Sequence, residues 1–95
     1  MFEREKIIEL YDLYKNILTN KQREYFEYYY FEDMSFSEIS HNLNVSKSNI
    51  GKVIKVVENK LKTLENVLHL KEINDLILSS KNQKLIEKYL EIIYK

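Results

Sequence analysis

The chain has 95 residues, of which 44% are hydrophobic and 32% are charged, and it contains no cysteine and no proline. This length limits it to one domain, residues 1–95, with a modest core. The lack of cysteine excludes disulfides, iron–sulfur clusters and thiolate zinc sites. Together with a mixed-charge N-terminus unlike a signal peptide, it favours a cytoplasmic protein. Because proline is absent and there is a single glycine, we expect helix almost throughout.

The formal net charge is zero, from 15 basic and 15 acidic side chains, but the charges are unevenly distributed. Residues 1–34 carry five basic and eight acidic side chains (−3), and residues 35–72 carry six and four (+2). Residues 73–95 carry four and three (+1). Within the middle block, Ser46 to Lys62 holds five lysines and one glutamate (+4). The positive charge is therefore concentrated on one segment, as in many nucleic-acid binders.

N-cap signals, in place of proline and glycine, mark the predicted helix starts. In a capping box, a serine or threonine hydroxyl accepts from the backbone N–H three residues on, and a Glu or Gln side chain reaches back. Ser46 offers a simpler N-cap. The pairs with the capping-box form are Thr19 with Gln22, Ser35 with Glu38, and Ser80 with Gln83.

These signals and the spacing of the apolar residues predict five to six helices in a compact, all-α domain. The first helix carries an apolar stripe from Ile7 to Leu18, and the fourth is the longest, at ~33 Å. In chain order the predicted helices are Phe2–Leu18, Asn20–Phe31, Phe36–Leu43, Lys47–Leu68, Lys71–Leu78 and Lys81–Tyr94.

The fourth predicted helix has two distinct faces. At ~100° per residue, its apolar residues fall within an arc of about 100° and its polar residues within a separate arc of about 140°. The polar arc is mainly basic because it contains Lys47, Lys52, Lys55 and Lys62. The residues of the apolar arc, which we expect to pack, are Ile50, Val53, Ile54, Val57, Leu61, Leu64 and Leu68.

Residues 35–55 have the pattern of a helix-turn-helix, in which two helices joined by a tight turn cross steeply. The first helix needs a small residue at the crossing, and Ser40 is there. The turn commonly needs a left-handed residue, a conformation that Asn44 enters at low cost. Ser46 is the expected cap of the second helix. The apolar residues expected to hold the pair together are Ile39, Leu43, Val45, Ile50 and Val53.

The second helix of such a motif enters the major groove of DNA with its N-terminal half. We therefore expect Lys47 and Ser48 to reach base edges, and Lys52 and Lys55 to contact mainly phosphates. Gly51 either permits close approach of the backbone or marks a helix no longer tuned to DNA. The full candidate DNA-binding set is Ser46, Lys47, Ser48, Gly51, Lys52, Lys55 and Lys62.

The segment LTNKQREYFEYYYFEDMSFSEISHNLNVSKSNIGKVIKVVENKL, Leu18 to Leu61, resembles the fourth conserved region of bacterial sigma factors. The shared features are the L-T-x-x-Q-R-E start, the S-F-S-E-I-S opening and the V-S cap. Over nearly its full length the chain is similar to the YlxM-like family of small proteins proposed to bind DNA. The resemblance implies an all-helical fold with a sigma-like helix-turn-helix. It also implies a role in the signal recognition particle pathway, either regulating it or acting in it, with a component of that particle as a partner.

Two functional hypotheses remain open at this point. The first is a regulator that binds DNA through the helix-turn-helix. The second is an adaptor for protein, or for RNA, that keeps the fold and no longer reads DNA, which the zero net charge and Gly51 favour. The aromatic run from Tyr25 to Phe31 either stacks on bases or forms core.

No pattern in the sequence indicates an enzyme, because a phosphate-binding Gly loop, a nucleophile elbow and a catalytic triad are all missing. His41 and His69 have no second ligand at metal-binding spacing, so we expect neither a metal nor another cofactor.

Residues 56–95 extend beyond the helix-turn-helix. We expect this helical extension to close the bundle over the first helix and to provide a dimer surface, since two-fold dimers suit DNA half-sites one turn apart. The expected partners are therefore DNA and a second copy of the chain. Membrane insertion is not expected, because no run approaches the ~20 apolar residues of a membrane span.

Overall fold

The computed structural model describes residues 3–95. The all-α class predicted from the sequence is confirmed, since these residues form six α-helices and a short 3₁₀ helix with no strand among them. The helices are α1 (Arg4–Tyr14), α2 (Asn20–Tyr30), α3 (Phe36–Leu43), α4 (Lys47–Leu68), α5 (Leu70–Leu78) and α6 (Gln83–Ile93), and the 3₁₀ helix spans Lys15–Ile17.

The first helix is shorter than predicted. It ends at Tyr14 and passes into the 3₁₀ helix, after which Leu18 is extended and buried. The tighter turn lets the Leu18 side chain enter the core just before Thr19 caps α2, and a continuous α-helix could not satisfy both positions. The prediction of helix through Leu18 is therefore wrong. Its predicted start at Phe2 lies outside the described residues.

The predicted capping box at Ser80 is also wrong. The Ser80 hydroxyl donates backwards to the carbonyl of Ile77 at 2.6 Å, a local bond that competes with capping. Asn82 caps α6 instead, its side chain accepting from the backbone N–H of Leu85 at 3.0 Å. The last helix consequently begins at Gln83, two residues later than predicted.

Helix α4 is the central element, because α1, α2 and α3 all pack against it. The predicted packing face is largely confirmed: Ile50, Ile54, Val57 and Leu61 are buried. The last position of that face, Leu68, is 45% exposed at the helix end. The buried partners from the other helices are Ile7, Leu10, Tyr11, Tyr14, Tyr25, Phe26 and Ile39.

Tyrosine–glutamate hydrogen bonds link the helices around this core. Tyr11 of α1 donates to Glu27 of α2, and Tyr30 of α2 donates to Glu58 of α4. Burial, together with these hydrogen bonds, raises the pKa of both phenols. Each ring thus fills core volume while its hydroxyl reaches a partly exposed carboxylate.

Helices α5 and α6 form a hairpin over one side of α1. The Lys71 ammonium lies 3.0 Å from the Glu9 carboxylate, and the Tyr94 hydroxyl donates to Asp12 at 2.6 Å. No side chain of either helix is fully buried. None of the helices in the described part of the chain is long and apolar enough to span a membrane.

Candidate nucleic-acid interface

The first helix of the predicted motif begins with a complete capping box. The Ser35 hydroxyl accepts from the backbone N–H of Glu38 at 3.1 Å, and the Glu38 carboxylate accepts from the backbone N–H of Ser35 at 2.9 Å. These bonds lower the pKa of Glu38 from its ordinary value. They fix the start of α3 at Phe36, as the sequence predicted.

The turn between α3 and α4 is also the one predicted. Asn44 is left-handed, with φ 55° and ψ 45°. The Ser40 hydroxyl donates to the carbonyl of Val45, whose own N–H donates to the Ser40 carbonyl at 3.2 Å. Ser46 then caps α4 by accepting from the backbone N–H of Asn49 at 3.1 Å. Every bond of this turn is local, so the sequence pattern was sufficient to predict it.

Buried side chains dock the two helices. Ile39 and Ile50 are both fully buried in one cluster, and Leu43, Val45 and Val53 pack against it. With this side of α4 covered, the opposite side faces outward.

The structure places most of the candidate binding residues on that outward side. Ser46, Lys47, Ser48, Lys52 and Lys55 are exposed, whereas Gly51 and Lys62 are half-buried. The Lys47 ammonium donates to the hydroxyl of Ser37 on α3 at 3.1 Å. Lys62 lies two turns beyond Lys55 and is set apart from the others.

Gly51 has a packing role that the sequence analysis did not consider. It lies against the Phe36 ring, where an added Cβ would be 3.4 Å from Cε2 and 3.8 Å from Cδ2. A Cβ at these distances makes an ordinary contact, so the crossing of α3 and α4 leaves room for an alanine here but not for a much larger side chain.

Two further residues of this surface were missed by the sequence analysis. Lys21, in the first turn of α2, lines a depression of about 270 Å³ together with Lys52 and Val56. Val56 is 53% exposed and also lines an adjoining depression of about 470 Å³ with Lys55. Lys21 could have been found only by asking which helix start lies beside α4, and that depends on the tertiary arrangement.

The only glutamate between Ser46 and Lys62 is Glu58, which accepts a hydrogen bond from Tyr30. Asp33, just before α3, lies 2.7 Å from the Arg4 guanidinium. These carboxylates are thus engaged by donors from other helices, and the outward side of α4 up to Lys55 carries lysines without an intervening acid.

Most of the aromatic run packs within the protein. The Phe26 ring stacks between Tyr11, at 4.1 Å between ring centroids, and Tyr30, at 4.4 Å. Tyr29 contacts Phe36 at 5.0 Å, while Phe31 is 49% exposed. The structure therefore favours the core interpretation of the run over a base-stacking surface.

The isolated histidines remain apart in the structure. His41 is exposed on α3, and His69, a left-handed residue between α4 and α5, lies 3.0 Å from Glu72. Among residues 3–95, no cluster of three or more histidine or carboxylate side chains is placed to hold a metal ion.

Helices α3 and α4 are both capped, are joined by a three-residue turn and dock on each other, and the lysines of α4 face outward. This arrangement defines a helix-turn-helix protein. The chain belongs to the UPF0122 family, described as "Putative helix-turn-helix protein, YlxM / p13 like", whose profile matches residues 1–94. The YlxM-like resemblance is thereby confirmed.

Relatives in several bacteria share this family assignment. A UPF0122 protein of Mycoplasma mycoides is 42% identical over 78 residues, which are 82% of this chain and 69% of that protein. One from Ureaplasma urealyticum is 40% identical, covering 90% of this chain and 91% of its own length. One from Staphylococcus epidermidis is 33% identical, and the match covers 85% of this chain and 81% of that protein.

Proposed function

We propose that this protein is a regulator that binds double-stranded DNA through the N-terminal half of α4. The observation that carries the proposal is the exposure of Lys47, Lys52 and Lys55 on the outward side of a helix whose other side is docked on α3. A helix presented in this way fits the major groove, and its lysines replace counterions along the phosphates.

The individual roles follow from position and chemistry. Lys47 and Ser48, in the first turn, are nearest the base edges, where ammonium and hydroxyl groups can donate to guanine or adenine acceptors. Lys52 and Lys55 lie further along the helix and contact phosphates, with Lys21 adding a third cation beside Lys52. The capping serine, Ser46, holds the helix start in place.

The test is duplex DNA binding, measured by fluorescence anisotropy across a series of salt concentrations. With about three phosphate contacts, from Lys21, Lys52 and Lys55, the logarithm of the affinity falls with the logarithm of salt at a slope of about −3. Lys52→Ala reduces the steepness of that slope by roughly one unit and weakens all sequences similarly. Lys84→Ala, the same change on exposed α6, leaves the slope unaltered. The proposal is refuted if the DNA affinity does not change with salt concentration, or if Lys52→Ala and Lys84→Ala change the slope equally.

The second candidate is an adaptor that docks protein or RNA on the same surface. Val56 favours it, because a side chain 53% exposed makes the depression beside Lys52 and Lys55 largely apolar. Replacing the DNA by duplex RNA in the same titration separates these functions: RNA that binds more tightly than DNA at every salt concentration supports the adaptor. Action in the signal recognition particle pathway stays a prediction from the family resemblance.

A further inference from the structure

The C-terminal third of the chain exposes an unusual amount of apolar side chain. Of the twelve large hydrophobic residues exposed within residues 3–95, nine lie between Val67 and Tyr94. The most exposed are Leu76 at 71%, Val67 at 69% and Ile92 at 60%. Single exposed apolar residues are ordinary, but a concentration of them marks an interaction surface.

Two of the nine, Leu78 and Tyr94, lie on the side of the α5–α6 hairpin that faces α1, where they line a depression with residues of α1. Lys71 and Tyr94 hold the hairpin to α1. Ile73 and Leu76 are three residues apart in α5, and Leu85 and Ile92 are seven apart in α6, so each pair shares one side of its helix. We define the C-terminal apolar surface as these two pairs, Ile73, Leu76, Leu85 and Ile92, continued at the end of α4 by Val67 and Leu68.

We propose that the C-terminal apolar surface binds a second copy of this chain and forms a two-fold homodimer. The exposed fractions of its six residues correspond to on the order of 600 Å² of accessible surface. A standard interface buries roughly 800 Å² per partner, of which rather more than half is apolar. The surface therefore supplies the apolar area that a stable dimer needs, and it lies at the upper end of what a typical monomer leaves open.

The charges bordering this surface suit a copy of the same chain. From Lys71 to Lys95 there are five lysines and four carboxylates, so two copies do not repel strongly. Glu72 borders Leu76 on α5, and Lys88 borders Ile92 on α6. A two-fold axis parallel to the hairpin places the acidic edge of one copy opposite the basic edge of the other, because each contact in such an interface occurs twice.

The dimer surface and the proposed DNA site lie at opposite ends of α4. The helix has 22 residues and is ~33 Å long at 1.5 Å per residue. Lys47 is its first residue and Leu68 is its last. Pairing therefore leaves the lysines open. Dimerisation and DNA binding can each fail without the other.

Sedimentation velocity of the full chain over a range of concentrations is the first test. The unaltered protein sediments as a dimer at tens of micromolar, a range typical of a modest interface. Leu76→Glu raises the dimer dissociation constant at least about 100-fold, because the charge replaces the most exposed residue of the surface in both copies. The matched control is Ile17→Glu, since Ile17 is 49% exposed in the 3₁₀ helix, far along the sequence from the hairpin. We expect Ile17→Glu to change the dimer dissociation constant by less than about threefold.

Thiol cross-linking provides a second measurement that does not depend on the charge variants. The chain has no cysteine, so Leu76→Cys creates a single thiol. A bis-maleimide with a flexible spacer, which does not require the two thiols to touch, converts Leu76→Cys at low protein concentration to a covalent dimer faster than it converts Ile17→Cys. Circular dichroism verifies that each variant is folded.

Two results overturn the proposal. One is a monomer at high micromolar concentration together with equal cross-linking of both cysteine variants. The other is a protein that stays monomeric and binds vesicles of equal parts phosphatidylcholine and phosphatidylglycerol, with that binding lost in Leu76→Glu. This result would assign the surface to membrane contact. DNA binding that persists in a monomer leaves the proposed function intact while removing the dimer.

Discussion

The hydroxyl of Tyr14 in α1 donates a 2.7 Å hydrogen bond to the carboxylate of Glu65 near the end of α4. The same carboxylate accepts from the backbone N–H groups of Lys71 at 3.0 Å and Glu72 at 3.2 Å, and the Tyr14 oxygen accepts from that of Leu70 at 3.1 Å. These backbone donors belong to the first turn of α5, which has no side-chain cap of its own. One tyrosine–glutamate pair therefore supplies the acceptors that the start of α5 needs.

Replacing Tyr14 by phenylalanine tests this arrangement. The variant loses a hydrogen bond to a charged group and leaves the Leu70 N–H without its acceptor, so we expect the free energy of unfolding to fall by about 1.5–3 kcal/mol. Urea unfolding followed by circular dichroism measures it.

Tyr94→Phe is the matched control. It removes the same group from a hydrogen bond to Asp12, but Tyr94 is 52% exposed, so water replaces the lost partner and the loss is at most about 0.5 kcal/mol. Equal losses in the two variants contradict a special role for the Tyr14–Glu65 pair.

Stability falls in alkaline solution for a related reason. Burial and the hydrogen bond to Glu65 raise the pKa of Tyr14 to about 12, and burial with glutamate partners raises the pKa values of Tyr11 and Tyr30 in the same direction. A phenol has a pKa of about 10 in the unfolded chain. A folded pKa above the unfolded value means that the stabilisation is fully present below pH 10 and is lost as the pH rises towards 12.

Urea midpoints at intervals from pH 8 to pH 12 check this prediction. Lys71, whose pKa is raised by hydrogen bonds to Asp75 and Glu9, adds to the decline in the same range. Tyr14→Phe removes one tyrosine contribution, so its midpoint declines less between pH 10 and pH 12. A midpoint that stays level to pH 12 contradicts the assignment of these phenols to the core.

Local patterns predicted the motif well because its determinants lie close together in the sequence. The bonds from Ser35 to Glu38 and from Ser46 to Asn49 span three residues each. Tyr14 and Glu65 are 51 residues apart, and their pairing depends on how α1 packs against α4. No periodicity or capping rule contains that information, and the same holds for Lys21 beside Lys52.

The errors also have physical causes. Ser80 satisfies a carbonyl of the preceding helix instead of capping the next one, and a sequence pattern cannot decide between two local bonds of similar strength. The contact of Gly51 with Phe36 was not predicted, because it depends on where α3 crosses α4.

Asn44 offers a test of the turn. Its φ of 55° lies in the left-handed region, which costs most L-residues about 1–2 kcal/mol and glycine nothing. Asn44→Ala therefore lowers the free energy of unfolding by about 1 kcal/mol, and Asn44→Gly leaves it nearly unchanged. Thermal unfolding of both variants measures the difference. If Asn44→Ala is as stable as Asn44→Gly, the turn relaxes out of the left-handed conformation.

The last prediction separates the packing role of Gly51 from a role in DNA contact. In Gly51→Ala the new methyl lies 3.4 Å from Cε2 of Phe36, an ordinary contact, while alanine favours helix over glycine by about 1 kcal/mol. We expect the variant to be more stable by about 0.5–1 kcal/mol, as measured by urea unfolding, with duplex DNA affinity within about threefold of the unaltered protein. Gly51→Val, whose larger side chain crowds the Phe36 ring, serves as the overpacked counterpart and lowers stability. If Gly51→Ala is more stable but binds DNA about ten times more weakly, the backbone at this position contacts DNA. Gly51 would then be needed for close approach to the DNA groove as well as for packing between α3 and α4.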